Sequence, residues 1–90
     1  MYIHLGQDTV ILTQDIIGIF DLDNTTVSKK TRDFLNEAEK KGQVTAVSYE
    51  LPKSFIISFD RNKKDTHVYL SQLSAETLKK RAEHSIREIT

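Results

Sequence analysis

The chain has 90 residues, no cysteine, and 13 basic residues that balance 13 acidic ones. A chain of this length forms one domain whose core is small enough that oligomerisation would help to stabilise it, and without cysteine it has neither disulfide bonds nor thiolate zinc sites. Its neutral charge argues against a dedicated nucleic-acid-binding protein, and without a membrane-length apolar stretch or a basic leader near residue 1 we expect a cytoplasmic protein with no membrane contact.

The first predicted elements are a β-hairpin and a buried strand. Residues 2–5 and 9–12 are short, largely apolar segments separated by a turn, which indicates two antiparallel strands, and Gly6 supplies the positive φ of that turn. Residues 16–20 are apolar at nearly every position, which is typical of a strand covered on both faces. We therefore expect this strand at the centre of the sheet.

A helix is predicted over about residues 26–41. Asn24, Thr25 and Thr26 are suitable N-caps, and apolar positions recur after them at helical spacing. Gly42 stands where a C-cap glycine is expected.

Three strands and a second helix follow. Residues 44–49 and 54–59 flank residues 50–53, which form a predicted turn around a proline, and residues 66–70 return as a strand after a polar connector. Ser74 caps the final helix. The apolar stripe of that helix consists of Ala75, Leu78, Ala82, Ile86 and Ile89. The expected fold class is α+β, with a small antiparallel sheet (a β-hairpin, a central strand, a helix, and a hairpin plus strand) and a C-terminal helix in one domain.

Residues 21–25 match the first motif of haloacid dehalogenase-type phosphatases, in which one aspartate is the nucleophile and the next but one the general acid. The rest of the chain does not fit, because a doubly wound parallel sheet alternates strands with helices, whereas here one helix precedes three strands. Asp21 and Asp23 are better explained as turn residues that favour a helix N-terminus. We assign no catalytic residue, and a DxDxT-type phosphatase stays a minor alternative.

Metal and cofactor chemistry is not indicated either. His4, His67 and His84 lie on three different predicted elements, and the three glycines stand singly rather than in a phosphate-binding loop. We therefore predict no metal, no cofactor and no enzymatic activity.

Basic side chains in the second half of the chain are the remaining chemical signal. Residues 53–90 contain eight basic and five acidic residues, whereas residues 1–25 contain four aspartates and neither lysine nor arginine. Solvated surface explains each basic cluster, but in an oligomer that repeats the cluster around a rim the phosphate contacts would add. The candidate nucleic-acid-binding residues are Lys53, Arg61, Lys63, Lys64, Lys79, Lys80 and Arg81.

With this order of elements the chain resembles the RemA/RemB family of small bacterial regulators of extracellular-matrix (biofilm) genes. The likeness covers residues 1 to about 82, and the opening segment and Ile16–Asp21 look most like the RemB branch. The matching segments are Ile3-His4-Leu5-Gly6, Asp15-Ile16-Ile17-Gly18-Ile19-Phe20, Leu70-Ser71 and Ser74-Ala75-Glu76-Thr77-Leu78-Lys79-Lys80-Arg81.

The resemblance implies a ring-forming domain that, in the RemA branch, binds DNA upstream of matrix operons. RemA-type proteins carry an arginine just before the third strand and an arginine pair in the following hairpin, and these arginines contact DNA. This chain instead has Asp15 at the first place and Leu51 and Pro52 at the pair, with Lys53 as the nearby cation.

Two functional hypotheses follow. The leading one is a ring-forming transcriptional regulator of extracellular-matrix genes that binds double-stranded DNA through backbone phosphates. The second is an oligomeric protein-interaction scaffold that binds a partner protein without direct DNA contact, favoured by Asp15, Leu51 and Pro52 where cations are expected. The candidate subunit-interface residues are Asp15, Asp21, Asp23 and Arg81.

Overall fold

The structure is a computed structural model that describes residues 1–22 and 28–89, with the backbone alone for residues 84–89. Its elements are β1 (Tyr2–Gly6), β2 (Thr9–Leu12), β3 (Ile16–Asp21), α1 (Lys29–Lys40), β4 (Val44–Ala46), β5 (Ser54–Asp60), β6 (Asp65–Ser71) and α2 (Ala75–Ile89). β1 and β2 form a two-stranded sheet, and a four-stranded sheet has the order β3-β5-β6-β4. The α+β fold class and the C-terminal helix are thereby confirmed.

The predicted first hairpin is confirmed. β1 and β2 pair antiparallel, with Ile3 opposite Ile11. Gly6 has a φ of 127° and Gln7 a φ of 46° in the turn. A Cβ added to Gly6 would stand 2.7 Å from Oε1 of Gln72. Glycine is therefore required here by its backbone conformation, and a side chain at this position would also displace the end of the flexible Gln72 side chain.

β3 lies at an edge of the four-stranded sheet, so the prediction that it is the central strand is wrong. Ile16 and Ile19 pack against the core, as an apolar strand should. Ile17, however, is 61% exposed, and Phe20 is exposed although its ring stacks on Phe55 with 4.9 Å between centroids. Within the described residues, the same apolar run therefore supplies both core and surface.

α1 begins at Lys29, later than expected. Ser28 is its N-cap, because the Ser28 hydroxyl oxygen accepts a hydrogen bond of 3.2 Å from the backbone N–H of Thr31. The predicted caps Asn24, Thr25 and Thr26 lie outside the described residues.

The C-terminus of α1 follows the prediction. Gly42 has a φ of 71°, and its N–H donates to the carbonyl of Glu39 at 3.0 Å. The N–H of Gln43 donates to the carbonyl of Ala38 at 2.8 Å. This pair of hydrogen bonds is a Schellman motif, which satisfies two of the last helical carbonyls.

β4 pairs parallel with β6, so the predicted hairpin of residues 44–59 and the antiparallel meander are wrong. The proline turn signalled a change of direction but not which neighbour the strand would take. β6 lies between β4 and β5 in the sheet. The loop that connects β4 to β5 forms backbone hydrogen bonds with the last residues of β6. The N–H of Val47 donates to the carbonyl of Leu70 at 2.9 Å, and that of Lys53 to the carbonyl of Ser71 at 2.8 Å.

The hairpin of β5 and β6 and the final helix agree with expectation. Ser58 lies opposite His67 in the antiparallel ladder. The hydroxyl oxygen of Ser74 accepts a hydrogen bond of 3.1 Å from the N–H of Thr77 at the start of α2. Ala75, Leu78 and Ala82 pack inward. The side chains of Ile86 and Ile89 lie outside the described residues.

Two apolar clusters hold these elements together, one on each face of the four-stranded sheet. Alternate side chains of β5 point to opposite faces, so Ile56 joins the hairpin and Leu78 of α2, whereas Phe55 joins Ala38 of α1. Ser71 links the sheet to the hairpin, because its buried hydroxyl donates to the carbonyl of Leu5. No helix among the described residues has the length and apolar character needed to cross a membrane.

Candidate nucleic-acid interface

The turn between β5 and β6 carries three of the predicted DNA-contacting residues, and one of them forms an ion pair within the chain. The Nη2 and Nε atoms of Arg61 both lie 2.9 Å from Oδ1 of Asp15. The side chain of Asp15 is only 17% exposed, so this ion pair is partly sheltered from water. The pair compensates the charge of Arg61 and ties the turn to the segment that enters β3.

Lys63 and Lys64 occupy the outer part of the same turn. Asp60 organises the turn, since its Oδ1 accepts hydrogen bonds from the N–H groups of Asn62 at 2.9 Å and Lys63 at 3.2 Å. Lys64 adopts a φ of 53° there. Both lysines are exposed, and no ion pair engages either of them in the part of the chain that the structure describes.

An acidic group beside these lysines limits the positive potential of the turn. Asp65 begins β6, and its carboxylate accepts hydrogen bonds from the N–H of Thr66 at 2.7 Å and from the amide of Gln43 at 2.6 Å. The hydrogen bond from the Thr66 N–H, followed by that from Gln43, lowers the pKa of Asp65. The turn therefore presents acidic and basic groups together.

Lys53 lies apart from this turn. It directly precedes β5, whereas residues 61–64 follow the end of the same strand. A seven-residue strand spans roughly 20 Å at about 3.3 Å per residue. The structure thus does not bring Lys53 together with Lys63 and Lys64 within the chain.

The predicted cations of α2 have different surroundings. Nη1 of Arg81 donates to the carbonyl of His4 at 3.1 Å and so fastens α2 to β1. Nζ of Lys80 lies 3.3 Å from Oε1 of Glu76 one helical turn earlier, and both side chains are exposed. Lys79 is exposed. The role of Arg81 in an intersubunit salt bridge stays a prediction.

The predicted acidic interface residues also separate. Asp15 is paired with Arg61 of the same chain. Asp21 ends β3 at the surface, and Asp23 lies outside the described residues. Their assignment to a subunit contact stays a prediction.

A polar cluster on β6 has no counterpart among the predicted site residues. The rings of His67 and Tyr69 are 4.8 Å apart, as the two-residue period of a strand allows, and Nε2 of His67 lies 2.7 Å from Oγ1 of Thr45. Partial burial lowers the pKa of His67 and raises the pKa of Tyr69. The spacing of the two aromatic rings on one strand was the available signal, but the partner Thr45 depends on the parallel pairing of β4.

The loop from β4 to β5 presents apolar side chains where the resemblance places an arginine pair. Leu51 is 87% exposed, and Tyr49, which sequence places at a strand end, is 110% exposed. Tyrosine and leucine side chains displayed in this way suit a protein contact better than a phosphate.

The phosphatase alternative does not fit the observed sheet. β3 pairs antiparallel with β5, whereas the aspartates of a dehalogenase-type enzyme follow a strand of a parallel sheet. Among the described residues, no group of three or more histidine, aspartate or glutamate side chains is arranged to hold a metal ion.

Comparison with known proteins agrees with the resemblance seen in the sequence. The family model named RemA-like, described as Extracellular matrix regulatory protein A-like, matches residues 2–82. The chain is 40% identical over 83 residues to Extracellular matrix regulatory protein B of Bacillus subtilis (strain 168), an alignment that covers 92% of this chain and 91% of that relative. Both names denote regulatory proteins. The chain therefore belongs to the RemA-like family of extracellular matrix regulatory proteins.

Proposed function

We propose that this protein regulates extracellular-matrix genes as a homo-oligomeric ring whose rim binds double-stranded DNA through backbone phosphates. Membership of the RemA-like family supports the regulatory part of the proposal. The observation that carries DNA contact is the exposed pair Lys63 and Lys64 at the β5–β6 turn. One pair is a small patch, but counterion release adds over every copy in an assembly.

The seven candidate cations differ in how available they are for contact with a phosphate. Arg61 is compensated by Asp15, and one N–H group of Arg81 holds its guanidinium beside β1, away from the β5–β6 turn, so neither is a leading DNA contact. Lys80 shares its charge with Glu76 in an exposed pair, which is a weak interaction. The leading candidates are Lys63 and Lys64, followed by Lys53 and Lys79.

A gel-shift titration at low salt tests the proposal. We expect the wild-type chain to retard duplex DNA, and a Lys63→Gln/Lys64→Gln variant to bind more weakly with a salt slope smaller by roughly one for each lost phosphate contact. Lys29→Gln/Lys30→Gln, at the start of α1, removes the same charge elsewhere and is the matched control. Absence of retardation, or equal weakening by both pairs, would contradict DNA contact at this turn.

A second function, an oligomeric scaffold that binds a partner protein, is favoured by one specific observation. Tyr49 and Leu51 are nearly fully exposed on one loop, and aromatic side chains are frequent among residues that dominate protein interfaces. In this case matrix-gene expression would depend on the loop while DNA binding would not.

Tyr49→Ser/Leu51→Ser separates the two functions when a matrix-gene reporter and the gel shift are measured together. Loss of reporter control with unchanged DNA binding supports the scaffold. Val10→Ser removes exposed apolar surface on β2 and is the control. If the loop variant retains reporter control while Lys63→Gln/Lys64→Gln loses it, the scaffold function is wrong.

A further inference from the structure

A groove of about 940 Å³ opens between β1 and the first turns of α2. It differs from the β5–β6 turn and the β4–β5 loop in combining an aromatic ring, side-chain amides, a hydroxyl group and two cations. The side chains that supply these groups are Tyr2, Gln7, Gln72, Thr77, Lys80 and Arg81.

The two cations of the groove are available to an anion. Arg81 uses one N–H group for the carbonyl of His4, which fixes the guanidinium beside β1 and leaves its other N–H groups for a ligand. The partner of Lys80 is Glu76, and this exposed pair is weak enough for an anion to replace. Neighbouring cations with several N–H donors are well suited to phosphate oxygens.

The groove also supplies groups that suit a planar polar ring. Tyr2 is 67% exposed, so its ring offers a face for stacking. The amide of Gln72 packs against Gly6, and its Oε1 finds no hydrogen-bond partner within the described residues. This Oε1 is buried against Gly6, and it can accept a hydrogen bond from a ligand when the amide turns about its terminal torsion.

We propose that this groove binds a nucleotide, with its phosphate at Lys80 and Arg81, its base against Tyr2, and the base edge at the amide of Gln72. Phosphate alone would leave the aromatic and amide groups unused, and an uncharged ring would leave the two cations unused. The inference goes beyond the proposed DNA contact, whose leading residues Lys63 and Lys64 do not line the groove.

Isothermal titration of the full chain with AMP and CMP tests the proposal, with adenosine, cytidine and inorganic phosphate as partial ligands. We expect saturable binding of at least one nucleotide with one site per chain. The partial ligands should bind at least about ten-fold more weakly, because each loses either the charge-assisted hydrogen bonds or the stacking contact. Absence of saturable binding for both nucleotides overturns the proposal. If inorganic phosphate binds with the same affinity as the nucleotides, the proposal that the ligand is a nucleotide is wrong.

Two substitutions locate the site. Lys80→Gln and Tyr2→Leu, both at exposed side chains, should each weaken nucleotide binding about ten-fold, and the Lys80→Gln variant should do so whether or not duplex DNA binding changes. Lys79→Gln removes the neighbouring charge of α2 outside the groove and should leave nucleotide affinity unchanged. Equal weakening by Lys79→Gln and Lys80→Gln would mean general charge attraction and would overturn the assigned site, as would wild-type nucleotide affinity in Lys80→Gln.

Discussion

At the scale of single residues, Ser71 joins the first hairpin to the four-stranded sheet. Its fully buried hydroxyl donates to the carbonyl of Leu5 and accepts a hydrogen bond of 3.0 Å from the N–H of Leu73. Ser71→Ala would remove the partner of both backbone groups, so we expect the free energy of unfolding to fall by about 1–3 kcal/mol.

Chemical denaturation measures this loss. Ser48→Ala is the matched control, because the Ser48 hydroxyl accepts a hydrogen bond from the exposed N–H of Glu50 at 3.1 Å, and water can replace it. We expect that control to lie within about 0.5 kcal/mol of wild type. Equal losses in the two variants would show that burial of the Ser71 hydroxyl does not matter to stability.

The stability of the fold depends on pH through His67. Burial lowers the pKa of His67 below the ordinary 6.5; the charge of Asp60 raises it by less, and the charge of Lys63 lowers it slightly further. The unfolded chain therefore binds the proton at a higher pH than the folded chain does. The stability associated with a neutral His67 is present above pH 6.5 and is lost as the pH falls from there through the lowered pKa.

Denaturation midpoints measured across that window check this expectation. Wild type should lose stability as the pH falls, and His67→Gln should lose less over the same interval because it has no proton to bind at this position. An identical pH dependence in the two proteins would place the titrating group elsewhere.

Residue-level features were predictable where the decisive contact is local. Gly6, Gly42 and Ser74 act through their own backbone conformation or through groups one turn away, and all three have the expected roles. The pairing of Arg61 with Asp15 spans 46 residues and depends on β3 lying beside β5. The sequence could identify Arg61 as a surface cation but not its partner, so the charge balance of the candidate site could not be predicted.

At the scale of elements, the strands were largely predictable but their neighbours were not. Apolar patterning located β3 and a strand at Val44–Ala46, yet β3 lies at an edge and β4 pairs parallel with β6. Pairing is set by how helices and strands cover each other's faces, and α1 covers one face of the sheet while α2 covers the other. Local turn chemistry at Pro52 carries no information about that packing.

The ion pair between Asp15, before β3, and Arg61 lowers the net positive charge of the β5–β6 turn. Asp15→Asn would free Arg61 and remove one negative charge, so we expect tighter DNA binding and a salt slope larger by up to roughly one per subunit. The cost in unfolding free energy should be about 1 kcal/mol, because Arg61 is exposed while Asp15 is partly sheltered from water.

Gel shifts at several salt concentrations measure this gain. Asp8→Asn makes the same charge change in the β1–β2 turn and is the control, with little effect expected at the β5–β6 turn. No gain from Asp15→Asn, or the same gain from both variants, would argue that Arg61 takes no part in DNA contact.

At the scale of the whole molecule, the net charge is zero, but the surface carries exposed apolar side chains. The chain carries 13 basic and 13 acidic residues, so the proposed DNA binding requires local basic patches that assembly would repeat. Exposed apolar side chains lie on β3 and on the β4–β5 loop, at Ile17, Phe20, Tyr49 and Leu51. A 90-residue domain with this surface would gain stability if copies of the chain covered it, which the proposed oligomer predicts.

The strand edge best suited to subunit contact is β3. β4, at the other edge of the sheet, has only three residues, and short edge strands resist pairing. β3 has six residues and exposes Ile17.

Light scattering should give a mass that is a multiple of the 10.3 kDa chain mass. Ile17→Lys should lower that mass, because a charge on an edge strand opposes association. Val10→Lys on β2 is the control and should retain the wild-type mass. A monomeric wild-type chain at micromolar concentration would contradict the oligomer, and an unchanged mass in Ile17→Lys would move the contact away from β3.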